Sequence, residues 1–493
     1  MELTSLNFLA FFIVVFLIYY AFGKLRPVNQ NTWLLLASMV FYAIIEVKML
    51  PFLLISCLVF YWLGIKIEKS NESAPKLASV LTSIGVVLGV GVLFVFKYLG
   101  FFVDQVIDFL NAIGFNAHPL TIKLLMPLGL SFYTFKLISY PIEIHRRHIE
   151  AERNLVNFLT YILFFPTILS GPIDRPDFLN QLKVTRTFNY ANVTEGCRQI
   201  LWGMFKKMVI ADNLASATVA AWANYDQLPG IQLIFMALVY TFQMYADFSG
   251  YSDMAIGLGK MLGLKVHVNF KYPLYALNIA QYWRGWHISL TSWLTDYVFM
   301  PLNLRFRNLG TLGMILAIMI NIELVGIWHG ANWTFAVFGL YHGLLFIPLI
   351  LSGAFMKKQK VKEGIWGLPT FTCARKILGT YLLVSLGLVI FAAPDISGAY
   401  SYLSHIISNI SLLPDSNSLT LNNFGGGKMM ICAISLGVYI LEWYNRKKEF
   451  LLAYSSTGIW SNRGFRYATY YCLAMACFFF APREAEGFIY VQF

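Results

Sequence analysis

Three histidines stand in stretches of this chain where hydrocarbon surroundings are expected, and the chemistry open to them is proton transfer. His329 lies in Trp328-His329-Gly330-Ala331-Asn332-Trp333, between the apolar stretches Leu312–Ile327 and Thr334–Leu351. His342 follows inside the second stretch, and His287 precedes in Trp286-His287-Ile288-Ser289. A polar group stranded in hydrocarbon is costly unless a partner or a water-filled cavity receives it, so an ionisable side chain there marks a candidate functional site. Desolvation favours the neutral imidazole, which can take the proton of a hydroxyl as that oxygen attacks a carbonyl. No Gly-x-Ser-x-Gly, metal-ligand spacing or P-loop accompanies these residues. The inventory therefore fits transfer of an acyl group from a bound thioester to an alcohol, with no metal and no permanently bound cofactor. In one unbroken helix His342 would lie about 20 Å beyond His329 at 1.5 Å per residue, leaving His287 the freer neighbour. Asn321 and Glu323 could face the same interior, whereas His145 and His148 sit in a basic loop where solvation explains them.

The elements that must position these residues are membrane helices. Hydrophobic residues make up 58% of the chain and charged ones only 13%, against about 25% charged in soluble domains. The mean hydropathy is +0.62. The net charge of +12 comes from short basic tracts between apolar runs, among them Lys24 and Arg26, His145–Arg153, Lys357–Lys362 and Arg446–Lys448. That is positive-inside patterning and argues against a nucleic-acid partner. Leu6–Phe22 lacks a basic n-region and an A-x-A-like site, and reads as a retained first span. The six cysteines are scattered without a CxxC, which predicts free thiols.

Apolar runs place spans near 6–23, 32–46, 50–65, 78–96, 126–143, 231–247, 311–327, 333–351, 377–393, 428–443 and 466–481. Putting the basic tracts in the cytoplasm leaves both termini extracytoplasmic. The middle, 154–300, breaks the pattern: Asn157–Ser170, Glu195–Lys207 and Tyr272–Pro301 read as re-entrant or interfacial segments. Pro414–Lys428 reads as an outside loop, and no internal repeat of the transporter kind is present. The expected fold class is an all-α polytopic membrane protein, a single embedded domain over 1–493, with about eleven transmembrane helices plus re-entrant or interfacial ones.

Several blocks resemble the membrane-bound O-acyltransferase family, in the bacterial branch that holds the alginate O-acetyltransferase membrane subunit. They are Pro127–Phe135, Phe164-Phe165-Pro166 through Ser170-Gly171-Pro172-Ile173-Asp174-Arg175-Pro176, Asp247–Gly259, Tyr282-Trp283-Arg284 through Trp293-Leu294, Trp328-His329-Gly330 and Leu340-Tyr341-His342-Gly343. In order and spacing they cover a core of about 90–345, with the C-terminal helices of 377–481 beyond it. The resemblance implies a ring of tilted helices around a central funnel or tunnel. It implies His329 as the catalytic residue, His287 lining the same tunnel, and an acyl group delivered from a cytoplasmic thioester to the far side. Phe338 stands where tryptophan is frequent and Asn303 where glycine is common, which touches the tunnel lining and its cytoplasmic mouth.

The expected activity is O-acylation, above all O-acetylation, of an extracytoplasmic polysaccharide at the bacterial plasma (inner) membrane. The co-substrate is an acyl thioester, acetyl-CoA or an acyl carrier. Expected partners are membrane lipid, an extracytoplasmic esterase-like transferase docking on 394–427, and the polysaccharide acceptor. Substrate-tunnel candidates are Trp328, Asn332, Trp286, Ser289, His342, Asp247, Arg284 and Arg175. Each has a plainer explanation. His342 could make a structural hydrogen bond to a neighbouring helix, and His287 could lie in a capped interfacial helix. Asp247, Ser249 and Asp253 suit turn and cap chemistry around Gly250. Arg175 and Arg284 could meet donor phosphates, lipid headgroups or a carboxylate. Lys136 could snorkel or pair with Glu143. Two competing functions remain open: D-alanyl transfer from a carrier-protein thioester toward teichoic acid, for which basic Arg305 and Arg307 would suit an acidic carrier, and a proton-coupled transporter.

Overall fold

Prolines and tightly packed glycines decide where this apolar chain divides into helices and which of those helices meet. The computed structural model describes residues 1–21, 27–116, 118, 124–357, 359–410, 425–454 and 459–481; Lys24, Arg26 and most of the Pro414–Lys428 loop lie outside these. The regular elements among the described residues are all helices, apart from one isolated antiparallel bridge between Glu363 and Pro369. Two compact units are present: Met1–Ile200 with Met254–His267, and Leu201–Asp253 with Val268–Phe493.

The first unit holds α1 (Leu6–Ala21), α2 (Pro27–Glu46), α3 (Leu50–Ser73), α4 (Pro75–Leu93), α5 (Leu99–Ala112), α6 (Leu130–His145), α7 (Leu155–Leu163) and the short α8 (Leu179–Leu182). Pro75 opens α4 after the extended Ala74, so α3 and α4 fold apart there. Both lie close on α6, because a Cβ on Gly64 would strike the Tyr140 ring and one on Gly89 would strike Ile138. Polar side chains inside this unit hold irregular backbone. Gln30 and Asn31 of α2 bond Arg186 and the Leu182 carbonyl, while the Arg186 guanidinium reaches Tyr19 Oη at 2.6 Å. Lys136 neither snorkels nor pairs with Glu143. It is fully buried and donates to Thr167 Oγ1 at 2.9 Å, while Glu143 bonds His148. Burying an ammonium demands such acceptors, and the turn after α7 supplies them.

Helices α9 (Tyr190–Met204) and α11 (Gly230–Met261) contribute residues to both units. The second unit adds α10 (Asp212–Ala223), α12 (Ile279–Gly285), α13 (Ile288–Leu294), α14 (Met300–Arg305), α15 (Thr311–His329), α16 (Trp333–Leu351), α17 (Phe371–Ala392), α18 (Ile396–Ser408), α19 (Gly425–Asn445) and α20 (Arg463–Phe480). The expected irregularity at Glu195–Lys207 is instead helical, running from α9 into a π-helical stretch, Phe205–Ala211. Short α12 and α13 do replace a span in Tyr272–Pro301. Helices α15 and α16 form a tight hairpin, since a Cβ on Gly326 would strike the Phe335 carbonyl and one on Gly339 would lie 2.9 Å from Glu323 Oε2.

By length and composition six described stretches could cross a membrane: Pro27–Ser73, Pro75–Ala112, Gly230–Met261, Thr311–His329, Trp333–Leu351 and Phe371–Ala392. The chain is thus an all-helical polytopic membrane protein.

Substituting Gly339→Leu overfills the α15–α16 contact, and such overpacking costs about 1–3 kcal/mol. The thermal midpoint of the purified protein in detergent should fall accordingly, while the same change at Gly379, which faces open space, should leave it nearly unaltered. A second outcome concerns pH. A hydrogen bond with buried Asp174 raises the pKa of His267 above its ordinary value, outside the apolar stretches. A raised histidine stabilises fully below about pH 6.5 and loses that contribution as pH climbs through the raised value. Asp174→Asn should therefore flatten the thermal midpoint's pH dependence over that window; an unchanged slope would contradict the coupling.

Candidate functional site

His329 is the last residue of α15, and the chain turns back immediately after it. Gly330 is extended (φ 179°, ψ 169°), and a Cβ there would strike the Phe335 ring, so the turn closes only on glycine. Asn332 then caps α16, accepting the Thr334 N–H at 3.0 Å and donating to the Pro394 carbonyl at 2.7 Å. Its side chain is thereby engaged in holding the turn. The reversal removes the axial separation that one continuous helix would impose on His329 and His342.

Aromatic rings link the three histidines. Trp328 meets His287 at 5.6 Å and His329 at 5.0 Å between ring centroids. Phe338 meets His329 at 6.3 Å and His342 at 4.5 Å. Phe391 of α17 closes on His329 at 5.0 Å, nearly perpendicular. His287 and His342 are fully buried and His329 retains 4% exposure. The side chains packed against these rings are largely aromatic. For His287, which lies between the short helices α12 and α13, burial pushes the pKa down. A neutral ring has one nitrogen able to accept a proton.

His287 sits at φ +46°, a left-handed conformation that non-glycine residues adopt at a cost of about 1–2 kcal/mol. Two hydrogen bonds to one residue hold it there: Ile288 N–H donates to the Asn269 carbonyl at 2.8 Å, and His287 Nδ1 meets Asn269 Oδ1 at 3.1 Å. Ser289 joins this cluster through its N–H and hydroxyl, both on Asn269 Oδ1. Trp286 stacks on Tyr282 at 5.4 Å and meets Phe270 edge-on at 5.1 Å. His342 packs between Phe338, Trp283 and Gly387, and neither ring nitrogen has a hydrogen-bond partner among the described residues. The structural hydrogen bond to a neighbouring helix that would have explained it is thus not found there.

Asp247 is placed by an ion cluster rather than by a turn. Helix α11 runs unbroken through Gly250, so Asp247, Ser249 and Asp253 lie in mid-helix, and the expected turn and cap chemistry does not apply. Gly250 instead lets the π-helical stretch approach, for a Cβ there would lie 2.8 Å from the Gly203 carbonyl. Buried Lys207 then bridges Asp247 and Asp212 at 2.7 Å each. Lys206 bonds Asp253 at 2.7 Å and Ser249 at 2.8 Å. A π-bulge adds a residue to a helical turn, which brings both lysines to this face. Sequence reasoning missed Lys206, Lys207, Asp212 and Asn269; the pair of lysines following apolar Trp202-Gly203-Met204-Phe205 was the available signal.

Arg284 is exposed and ties α12 to the turn after α16 through the Phe355 carbonyl at 2.9 Å. Arg175 belongs to the first unit, beside the Asp174–His267 pair. A separate apolar cavity of 710 Å³, lined by residues including Leu238, Phe242, Tyr275, Ile377, Tyr381 and Trp443, contains none of the three histidines. Among the described residues no group of three or more His, Cys, Asp and Glu could hold a metal ion.

The profile of the membrane-bound O-acyltransferase family matches residues 145–367, which contain all three histidines and the Asn269 cluster. The chain is 35% identical to a probable alginate O-acetylase of Azotobacter vinelandii over 451 residues, 90% of this chain and 86% of that protein. It is 33% identical to the peptidoglycan O-acetyltransferase of Helicobacter pylori, covering 82% of this chain and 79% of the relative. It is 32% identical to the teichoic acid D-alanyltransferase of Streptococcus thermophilus, covering 55% and 69%.

Lys207→Met leaves Asp247 and Asp212 buried without their shared cation, a loss of about 3–5 kcal/mol when one partner of a buried pair is removed. The variant should accumulate poorly or unfold earlier, and adding Asp247→Asn and Asp212→Asn should recover much of the loss in a detergent-solubilised thermal scan.

Proposed function

The chain belongs to the membrane-bound O-acyltransferase family, and we propose that it passes an acetyl group from a cytoplasmic thioester toward hydroxyls of an extracytoplasmic polysaccharide. The observation that carries the reading is the enclosed row of three histidines linked through Trp328 and Phe338, with His329 at the turn. The acceptor O–H gives its proton to the neutral ring of His329 as its oxygen bonds to the thioester carbonyl. The tetrahedral intermediate then expels the thiolate, which recovers the proton from the imidazolium. His287 lines the chamber on the other side of Trp328, and His342 completes the row. Trp328, Trp286 and Ser289 wall or brace this chamber.

Acetyl is preferred over D-alanyl because the relatives named for acetylation align with 90% and 82% of this chain, whereas the D-alanyltransferase aligns with 55%. The donor is acetyl-CoA or an acyl carrier, held without a resident cofactor. In this reading the whole chain acts as one embedded domain of about eleven crossings around a central tunnel in the bacterial inner membrane, with both termini outside. The acetyl group is then handed to a separate extracytoplasmic esterase-like transferase.

Purified protein supplied with labelled acetyl-CoA should consume donor when an acceptor is present, and His329→Ala should reduce consumption by at least about 100-fold, the scale of a general base, while accumulating normally. Retained consumption would remove His329 from the chemistry. A protein that moved substrate without consuming thioester would be a transporter instead. Preference for a D-alanyl carrier thioester over acetyl-CoA would select the other acyl group.

A further inference from the structure

Asn269 is fully buried and every polar atom of its side chain is committed around His287. Its Oδ1 accepts from the Ser289 N–H at 3.2 Å, from the Ser289 hydroxyl at 2.9 Å and from His287 Nδ1 at 3.1 Å. Its Nδ2 donates to Ser252 Oγ at 3.2 Å. The two ends of an amide are ordinarily interchangeable in a structure, but a backbone N–H can only donate. The atom facing Ser289 N is therefore the oxygen, and the histidine nitrogen facing the same oxygen must carry hydrogen. A neutral imidazole protonated at Nδ1 has its lone pair on Nε2.

We propose that Asn269 is a positioning residue for acyl transfer, fixing His287 as the Nδ1–H tautomer so that Nε2 presents a lone pair rather than an N–H to the reaction chamber. The inference rests on the reading of His287 as part of the reaction chamber. Three features make Asn269 more than filler. The same residue holds the left-handed turn through its carbonyl and the ring through its side chain, so backbone and tautomer are set together. The Ser289 N–H can only donate, so it keeps the amide oxygen toward Nδ1 and prevents the flip that would present an N–H there, while Ser252 on α11 receives the Nδ2 hydrogen. The Phe248 ring stands perpendicular to the imidazole at 4.6 Å and Trp328 closes at 5.6 Å, limiting the ring's freedom to turn about its own axis.

The test uses the full chain in detergent or nanodiscs, with histidine labelled at both ring nitrogens. His287 signals are assigned by their disappearance in His287→Gln. The wild-type ring should show a protonated-type Nδ1 and an unprotonated-type Nε2. Asn269→Asp keeps an acceptor at Nδ1 and adds negative charge, so the tautomer should persist while the acidic limb of the rate profile moves to higher pH. Asn269→Leu removes the acceptor; the ring should populate both tautomers, and kcat should fall about 10-fold to 100-fold, the scale seen when a partner orienting a histidine is lost, with donor KM little changed. Should Asn269→Leu fail to fold, Asn269→Asp alone decides, since an unmoved acidic limb would refute the proposal. An unprotonated Nδ1 in the wild type, or a normal kcat in Asn269→Leu, would also overturn it. If His287→Gln consumes donor at the wild-type rate, the chamber reading of His287 fails and takes the proposal with it. If His287→Gln is inactive while both Asn269 variants behave as wild type, only the role of Asn269 falls.

Discussion

The cations buried inside this protein find their partners within the protein, because the surrounding hydrocarbon offers none. That single constraint organises the described structure. Lys136 reaches the loop after α7, Arg186 is gripped by α1 and α2, and Lys206 and Lys207 gather three aspartates along α10 and α11. Each of these cations immobilises backbone that hydrophobic contact alone would leave free to slide. Without the lysines on the π-helical stretch, nothing would hold a charged face of α11 at depth, and Gly250 could not bring the two segments together. A buried ion cluster of this kind is weak evidence for net stability, since hydrophobic replacements of similar volume are often as stable. It does fix register, because a slip by one residue strands several charges at once.

The same constraint separates what was legible in the sequence from what was not. Apolar helices were legible because continuous hydropathy is a local property, 311–327 and 333–351 becoming α15 and α16, whereas six described stretches, not eleven, have the length and composition to cross a membrane. The turn at Trp328-His329-Gly330 was legible because its glycine and capping asparagine act within a few residues. The partners of polar residues were not. Asp247 looked like a cap beside Gly250 because the cation it serves lies on a different helix, and Lys136 looked able to reach Glu143 because spacing along one helix was the only geometry available. One nitrogen of Arg284 meets the Phe355 carbonyl, 71 residues along the chain, a contact no local pattern announced. Asn269 carried no signal beyond being polar among aromatics, since its contacts form only when the chain returns at His287. Local pattern reveals elements, while long-range satisfaction of polar groups must be seen in three dimensions.

In the proposed reaction the histidines are prepared by aromatic packing and, at His287, by an amide. In serine-type triads an aspartate orients the histidine and stabilises the imidazolium that forms. Here the rings that meet His287, His329 and His342 are aromatic, and the group on His287 Nδ1 is a neutral amide. An amide fixes a tautomer without adding charge, so the protonated form of the ring is not favoured in advance. That arrangement suits the proposed donor. A thiol has a pKa near 8.5, so thiolate departs readily and needs little protonation as the carbon–sulfur bond breaks. An amine or alkoxide leaving group would demand a strongly stabilised imidazolium as acid, which a hydrocarbon enclosure does not provide. Under the proposed reaction, histidines walled by aromatics and held by an amide are thus matched to a thioester donor rather than to cleavage of amides or ordinary esters.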